Sequence, residues 1–223
     1  MEDLVNLKKT AIIFDLDGTL VDSKNQIGTA LNQARRGFNF SELSTQRIDE
    51  LIGLPIDYFL EDLQITNDET NRIIVEFRTI LQLLINEGNQ LFPGVFEFVS
   101  RHRNQGHRIG IATSKPTFLA ESVIANSKLV GLIDVIQGTE GFPAKPDPSS
   151  ILKAMKRLNT DRAIMIGDRV EDIKAANAAG IASVGIAQSF HDTSTLVEAG
   201  ARVAVNSFIE LSNSKELFEL LID

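Results

Sequence analysis

The chain has 223 residues, with 22 Lys and Arg against 30 Asp and Glu, and a formal net charge of −8. That balance, without any Lys/Arg-rich run, argues against a nucleic-acid partner, which is held through lysine and arginine contacts to phosphate. The absence of Cys excludes disulfides, thiolate metal sites and cysteine nucleophiles together.

Composition is that of an ordinary globular protein, 43% hydrophobic and 23% charged. The longest apolar runs fall well short of the ~20 residues of a membrane span. Met1–Thr10 carries charges where a secretory leader needs its apolar stretch, so a cytoplasmic, unexported chain with no membrane partner is expected.

In chain order, Ala11–Phe14 is a short apolar run that ends in the polar, Gly-containing stretch Asp15–Thr19, the pattern of a buried strand feeding a turn. From Asp22 to Phe92, about seventy residues show helical periodicity and no convincing strand. Ile27, Ala30, Leu31, Ala34 and Phe38 form one apolar stripe; Ile73, Ile74, Phe77, Ile80, Leu81 and Leu84 form a longer one. Gly53-Leu54-Pro55 reads as a break between two shorter helices. Further short apolar runs follow at Arg108–Ala112, Leu132–Ile136, Ala163–Ile166, Ile181–Ile186 and Ala201–Val205, with helical patterns between most of them. Val95–Arg103 is one, and Ile151, Leu152, Ala154, Met155 and Leu158 mark another as core-facing.

Strands alternating with helices imply an α/β fold, a Rossmann-like parallel sheet covered on both faces. The expected division is a core of residues 1–21 and 93–223 and an inserted, all-helical domain of residues 22–92. The insert leaves and rejoins the sheet near the carboxyl end of the first strand, where it can act as a lid.

Four charged positions fall at or beyond predicted strand ends: Asp15 and Asp17 after the first, Lys145 after the third, Asp168 after the fourth, and Thr113 follows the second. In a parallel sheet these ends share one edge. Asp15 and Asp17 suggest either a divalent metal or a division into nucleophile and acid, since close carboxylates raise one another's pKa; the simpler alternative is an Asp-stabilised turn before Gly18. Thr113-Ser114-Lys115-Pro116 precedes a helix and suits an anion or plain N-capping. Lys145-Pro146-Asp147-Pro148 holds Lys145 in a restricted conformation, suited either to offsetting charge beside Asp15 or to a plain solvated loop lysine ahead of a helix capped by Asp147. Asp168 suits a hard-cation ligand, with Asp172 as its support or as a favourable charge at a helix N-terminus that Gly180 would later terminate. His102, His107 and His191 lack metal-ligand spacing and read as surface or satisfied histidines.

Together, Asp15-Leu16-Asp17-Gly18-Thr19-Leu20-Val21-Asp22-Ser23, Thr113-Ser114-Lys115-Pro116, Lys145-Pro146-Asp147-Pro148 and Gly167-Asp168-x3-Asp172 resemble the four ordered motifs of the haloacid-dehalogenase superfamily, from about Lys9 to the Asn206 region. Leu91-Phe92-Pro93-Gly94-Val95 and Ala175–Ile181 resemble its phosphoglycolate-phosphatase branch, which carries a helical cap of the C1 type after the first motif. Ser114 and Arg169 depart from the residues common there, Asn and Ser or Thr. The resemblance implies a Mg²⁺-dependent phosphatase acting on a small phosphorylated metabolite through an aspartyl-phosphate. Asp15 would be the nucleophile and Asp17 the acid and base. Mg²⁺ would be held by Asp15, the Asp17 backbone carbonyl and Asp168, with Asp172 in support; Thr113, Ser114 and Lys145 would bind phosphate.

Asp17 favours phosphoryl transfer over dehalogenation, whose leaving group needs no proton. No Lys occurs between Lys24 and Lys115, which disfavours a phosphonoacetaldehyde-type Schiff base and weakens a sugar-phosphate mutase, the enzymatic alternative. A receiver-like, non-catalytic phosphate-binding module is the other alternative; it would need an acidic pair where Ile13-Phe14 stands.

Overall fold

A computed structural model of the chain describes residues 9–60, 66–141 and 143–222. Residues 1–8, most of the charged N-terminal segment read above, and residues 61–65 of the expected insert lie outside the described residues.

The six strands are β1 (Ala11–Phe14), β2 (Ile109–Ala112), β3 (Val135–Gln137), β4 (Ala163–Gly167), β5 (Ala182–Ile186) and β6 (Val203–Val205). They form one sheet in the order β3-β2-β1-β4-β5-β6, with every pairing parallel. Strand order reverses direction on either side of β1, so the crevice at the carboxyl ends of β1 and β4 is the switch point where open α/β sheets bind ligands.

Alternate residues of β1 feed opposite layers, as the two-residue repeat of a strand requires. Ile12 and Phe14 join one core, and Ala11 and Ile13 the other, against Ile151, Ala154 and Met155. Phe14, Phe98 and Phe208 meet edge-on or tilted, with ring centroids 5.3–6.1 Å apart.

The helices, in chain order, are α1 (Lys24–Gly37), α2 (Thr45–Leu51), α3 (Asn67–Asn86), α4 (Val95–Asn104), α5 (Thr117–Ala125), α6 (Ser149–Arg157), α7 (Val170–Ala178), α8 (Thr193–Glu198), α9 (Phe208–Leu211) and α10 (Lys215–Ile222). No described helix is long and apolar enough to cross a membrane.

Between β1 and α4 the described elements are all helical. α1 and α3 pack on one another through the two predicted stripes, in which Ile27, Leu31, Ile73, Phe77 and Leu81 are buried. A reciprocal cap starts α3: Thr66 Oγ1 accepts from the Glu69 amide at 3.3 Å, and Glu69 Oε2 accepts from the Thr66 amide at 3.0 Å. The two ends of the helical block run side by side. The Asp22 amide donates to Gln90 O at 2.9 Å, and the Phe92 amide donates to Leu20 O at 3.1 Å.

Three expectations need correction. The Gly53-Leu54-Pro55 break leads into a single 3₁₀ turn, Ile56–Phe59, rather than a second α-helix. Leu152 is 47% exposed, because the face of α6 turned to the core is set by Ile151, Ala154, Met155 and Leu158. His102 is buried with Nδ1 lacking a hydrogen-bond partner, so it is neither a surface nor a fully satisfied histidine.

Candidate active site

Strand ends supply the site. The Asp15 amide donates to Ile166 O at 2.9 Å, continuing the β1–β4 ladder one residue beyond the strand, and the Thr113 amide donates to Gln137 O at 3.0 Å in the same way. Side chains at these positions therefore enter the crevice from a rigid sheet. Asp15, Asp17, Thr113, Lys145, Asp168 and Asp172 are all buried, whereas Ser114 is half-buried.

Lys145 is the hinge of the charge arrangement. Its Nζ lies 2.7 Å from Asp15 Oδ1 and 2.5 Å from Asp172 Oδ1, and it donates to Ala112 O at 3.2 Å. Burial opposes its charge, but Asp15 and Asp172 outweigh that and hold its pKa above the ordinary lysine value. Asp172 also serves the start of α7, where its Oδ2 accepts from the Arg169 amide at 3.0 Å. The cation-supporting and helix-terminus roles of Asp172 are therefore compatible in one side chain.

Asp15, Asp168 and Asp172 bring carboxylate oxygens within 4.8 Å of one another. Burial, with the neighbouring Asp172, pushes the Asp15 pKa up to about 7 against the pull of Lys145. Burial, Asp172 and Asp15 push Asp168 up to about 8. Thr19 Oγ1 donates to Asp168 Oδ1 at 2.6 Å, while Asp168 Oδ2 is buried with no hydrogen-bond partner. A trio of hard oxygen donors carrying excess negative charge and one unused lone-pair face fits a divalent cation of the Mg²⁺ class.

Asp17 belongs to a different charge pair. Its carboxylate lies 2.9–3.0 Å from Lys115 Nζ, and the Lys115 amide donates to Thr113 Oγ1 at 3.2 Å. Two residues apart in sequence, Asp15 and Asp17 thus face two different buried lysines. Asp17, Ser114 and Lys115 line a cavity of about 160 Å³ that is closed on its other side by Gly53–Asp57, Phe77 and Arg78 of the helical block.

Gly18 is required by both backbone and space. Its φ is +86°, and a Cβ there would stand 2.5 Å from Asp168 Oδ2. Gly167 meets the second requirement alone: a Cβ would stand 2.4 Å from Asp172 Oδ2.

Sequence reasoning passed over Lys115, Thr19 and the reach of Arg169. Lys115 sat inside a motif already singled out, and its place after a strand end was the usable signal. Arg169 gave no such signal. Its Nη1 donates to Ile52 O at 2.8 Å and its Nη2 to Glu50 O at 3.1 Å, both at the carboxyl end of α2, and its guanidinium lies 5.2 Å from the Phe190 ring centroid.

Residues 12–186 match the family model described as haloacid dehalogenase-like hydrolase. The Dickeya dadantii (strain 3937) protein named "Probable phosphatase IndB" is 31% identical over 211 residues, 91% of this chain and 92% of that protein. A phosphoglycolate phosphatase of Colwellia psychrerythraea is 27% identical over 92% of this chain and 96% of its own length. Among solved structures, a "predicted phosphatase" from Clostridium acetobutylicum superposes with a TM-score of 0.82 at 28% identity, covering 95% of this chain and 99% of that one. A β-phosphoglucomutase from Clostridium difficile shares the fold, with a TM-score of 0.81 at 23% identity and coverage of 96% and 99%. With its carboxylates at the strand switch point and this match across most of its length, the chain belongs to the haloacid dehalogenase-like hydrolase family.

Proposed function

We propose that this protein is a Mg²⁺-dependent phosphoric monoester hydrolase that cleaves a small phosphorylated metabolite, phosphoglycolate or a related ester, through an aspartyl-phosphate on Asp15. The observation that carries this reading is the buried group of Asp15, Asp168 and Asp172 around Lys145, with Asp17 on a separate lysine at the mouth of a small cavity.

An Asp15 oxygen attacks phosphorus, forming an O–P bond as the ester O–P bond breaks. Asp17, having taken up a proton in place of its ion pair with Lys115, gives that proton to the departing alkoxide and then removes one from the water that attacks the acyl-phosphate, releasing inorganic phosphate and restoring Asp15. Lys145 keeps Asp15 aimed and offsets charge on the transferring group, and Thr113 and Ser114 offer it hydroxyls. Asp15, the Asp17 backbone carbonyl and Asp168 would hold Mg²⁺, supported by Asp172; when bound, it supplies the positive charge that lets these carboxylates stand ionised beside a phosphate.

Residues 22–92 form the cap, and closing it over the strand ends excludes water from the site. We place the enzyme in the cytoplasm with a small phosphate ester as its partner, rather than nucleic acid or a membrane, in keeping with a charge of −8 and no Cys.

The test is release of para-nitrophenol from its phosphate ester by the purified chain, with Mg²⁺ and with EDTA. Metal-dependent turnover, lost in Asp15→Asn while the circular dichroism spectrum is retained, is expected. Metal-independent or absent release would overturn the reading, and near-normal turnover by Asp15→Asn would overturn the nucleophile assignment.

A further inference from the structure

Five arginines of the helical block are candidates for reading the part of a substrate remote from phosphorus, and the structure separates them. Arg35 is buried, with Nε donating to Ser41 O at 2.8 Å and Nη1 to Phe59 O at 3.3 Å. Arg36 pairs with Glu42 at 3.1 Å and Arg47 with Glu50 at 3.0 Å. Arg72 lies over the Phe38 ring, 5.2 Å from its centroid.

Arg78 differs from these four. It is half-buried on α3, lines the cavity that Asp17, Ser114 and Lys115 line from the sheet side, and has no hydrogen bond or ion pair among the described residues. Its helix offers no acidic partner either: positions three and four residues away are Val75, Ile74, Leu81 and Gln82. Apart from Asp17, already paired with Lys115, the acidic residue among the described residues of the lining is Asp57, which is solvent-exposed.

We propose that Arg78 is the specificity-determining residue of the cap and binds a carboxylate at the end of a short phosphate ester remote from phosphorus. The proposal rests on the phosphatase reading above. The shape and chemistry of the cavity limit the ligand in the same direction. At about 160 Å³ it is smaller than the ~300–1,000 Å³ clefts that hold drug-sized molecules. Its cap-side wall beside Arg78 is largely apolar, with Leu54, Ile56, Phe59 and Phe77. A sugar or nucleoside tail would leave several hydroxyls against that wall without partners, whereas a one- or two-carbon chain ending in an anion leaves none. A planar guanidinium suits a carboxylate in particular, because the two can share paired hydrogen bonds.

The experiment compares kcat/KM of the whole chain for 2-phosphoglycolate and for ethyl phosphate, in which a methyl group replaces the carboxylate. A charge-assisted hydrogen bond of this kind is worth about 10- to 100-fold. The wild type is expected to favour 2-phosphoglycolate by at least about tenfold, and Arg78→Gln to bring the ratio close to one. Arg78→Glu is expected to shift preference toward phosphoethanolamine, a reversal that a loss of folding does not produce. Equal use of the two esters by the wild type, or an unchanged ratio in Arg78→Gln, overturns the proposal while leaving the phosphatase reading in place. Absence of turnover on these esters and on para-nitrophenyl phosphate overturns both.

Discussion

Asp168→Asn separates the cost of the acidic group from its use. In the metal-free protein, Asp168 lies within 4.8 Å of two other buried carboxylates, with one Lys among them, and its carboxyl is pushed from 3.8 up to about 8 by burial, Asp172 and Asp15. The unfolded chain gives up this proton near pH 4, but the folded chain keeps it until about pH 8. Stability is therefore complete below the unfolded pKa, declines as pH rises between those values and levels off above them. Fully converted, the shift is about 6 kcal/mol. Burying an amide in place of the acid offsets part of it. Asn keeps the Oδ1 that accepts from Thr19 and places donors toward the carboxylates of Asp15 and Asp172. We expect the variant in EDTA to be about 3 kcal/mol more stable than wild type at pH 8 to 9, with the difference vanishing near pH 4. Urea denaturation at a series of pH values measures this. On the proposed ligand set the same substitution removes a ligand, so Mg²⁺ at about 100-fold over its Kd should add about 2.7 kcal/mol to wild type and little to the variant. A variant less stable than wild type at pH 8, or a difference that does not change with pH, would refute the reasoning.

Other substitutions probe the supports of the site. Gly18→Ala must adopt a φ near +86° and place its Cβ 2.5 Å from Asp168 Oδ2; a loss of about 2 kcal/mol and at least a tenfold weaker Mg²⁺-induced thermal shift are expected, and an unchanged shift would contradict the packing. Arg169→Ala removes two donors from the carboxyl end of α2, and amide hydrogen exchange in Thr45–Leu51 should speed up by about 10- to 100-fold relative to the sheet; equal protection in both proteins would show that Arg169 does not fasten the block. His102 tests acid stability. Burial, His107 and Arg101 lower its pKa to about 4, so stability present above pH 6.5 is lost as pH falls toward 4. Full conversion of that shift is about 3 kcal/mol, and because the ring lines a cavity open to the surface we expect His102→Gln to recover about 2 kcal/mol at pH 4. Identical acid unfolding of the two proteins would count against it.

The fold was legible where burial imposes a period. The six apolar runs correspond to the six strands, and Gly180 stands just past the end of α7 with a φ of +75°. β3 was read too long at its start because Asp134 Oδ2 takes the Ile109 amide at 2.8 Å and pairs with Arg103 at 2.6 Å, interrupting the run before Val135. The positions of the proposed site residues were legible where a strand end announced them: Asp15, Thr113 and Asp168 each follow a strand. What could not be read were the partnerships. Lys115 meets Asp17 across 98 positions of sequence, and Arg169 reaches Ile52 across 117. Nothing local in a sequence specifies which of several buried cations a carboxylate will face.

That pairing decides how a chain of charge −8 can accept an anion. If Asp15, Asp168 and Asp172 were all ionised, Lys145 would leave the group with two uncompensated negative charges in the interior. At about 5 Å and an effective dielectric near 20, each such charge repels an approaching one by about 3 kcal/mol. A phosphate dianion therefore cannot enter on the strength of Lys145 alone. Lys115 is paired with Asp17 at 2.9 Å, and its charge is released to an incoming anion only when Asp17 carries a proton. The carboxylate group must first be neutralised, by protons or by a divalent cation, and in the mechanism proposed above a cation would do so while Asp15 stays ionised. On the proposed function, the negative charge that opposes a phosphate is the same charge that would recruit the divalent ion needed to bind it.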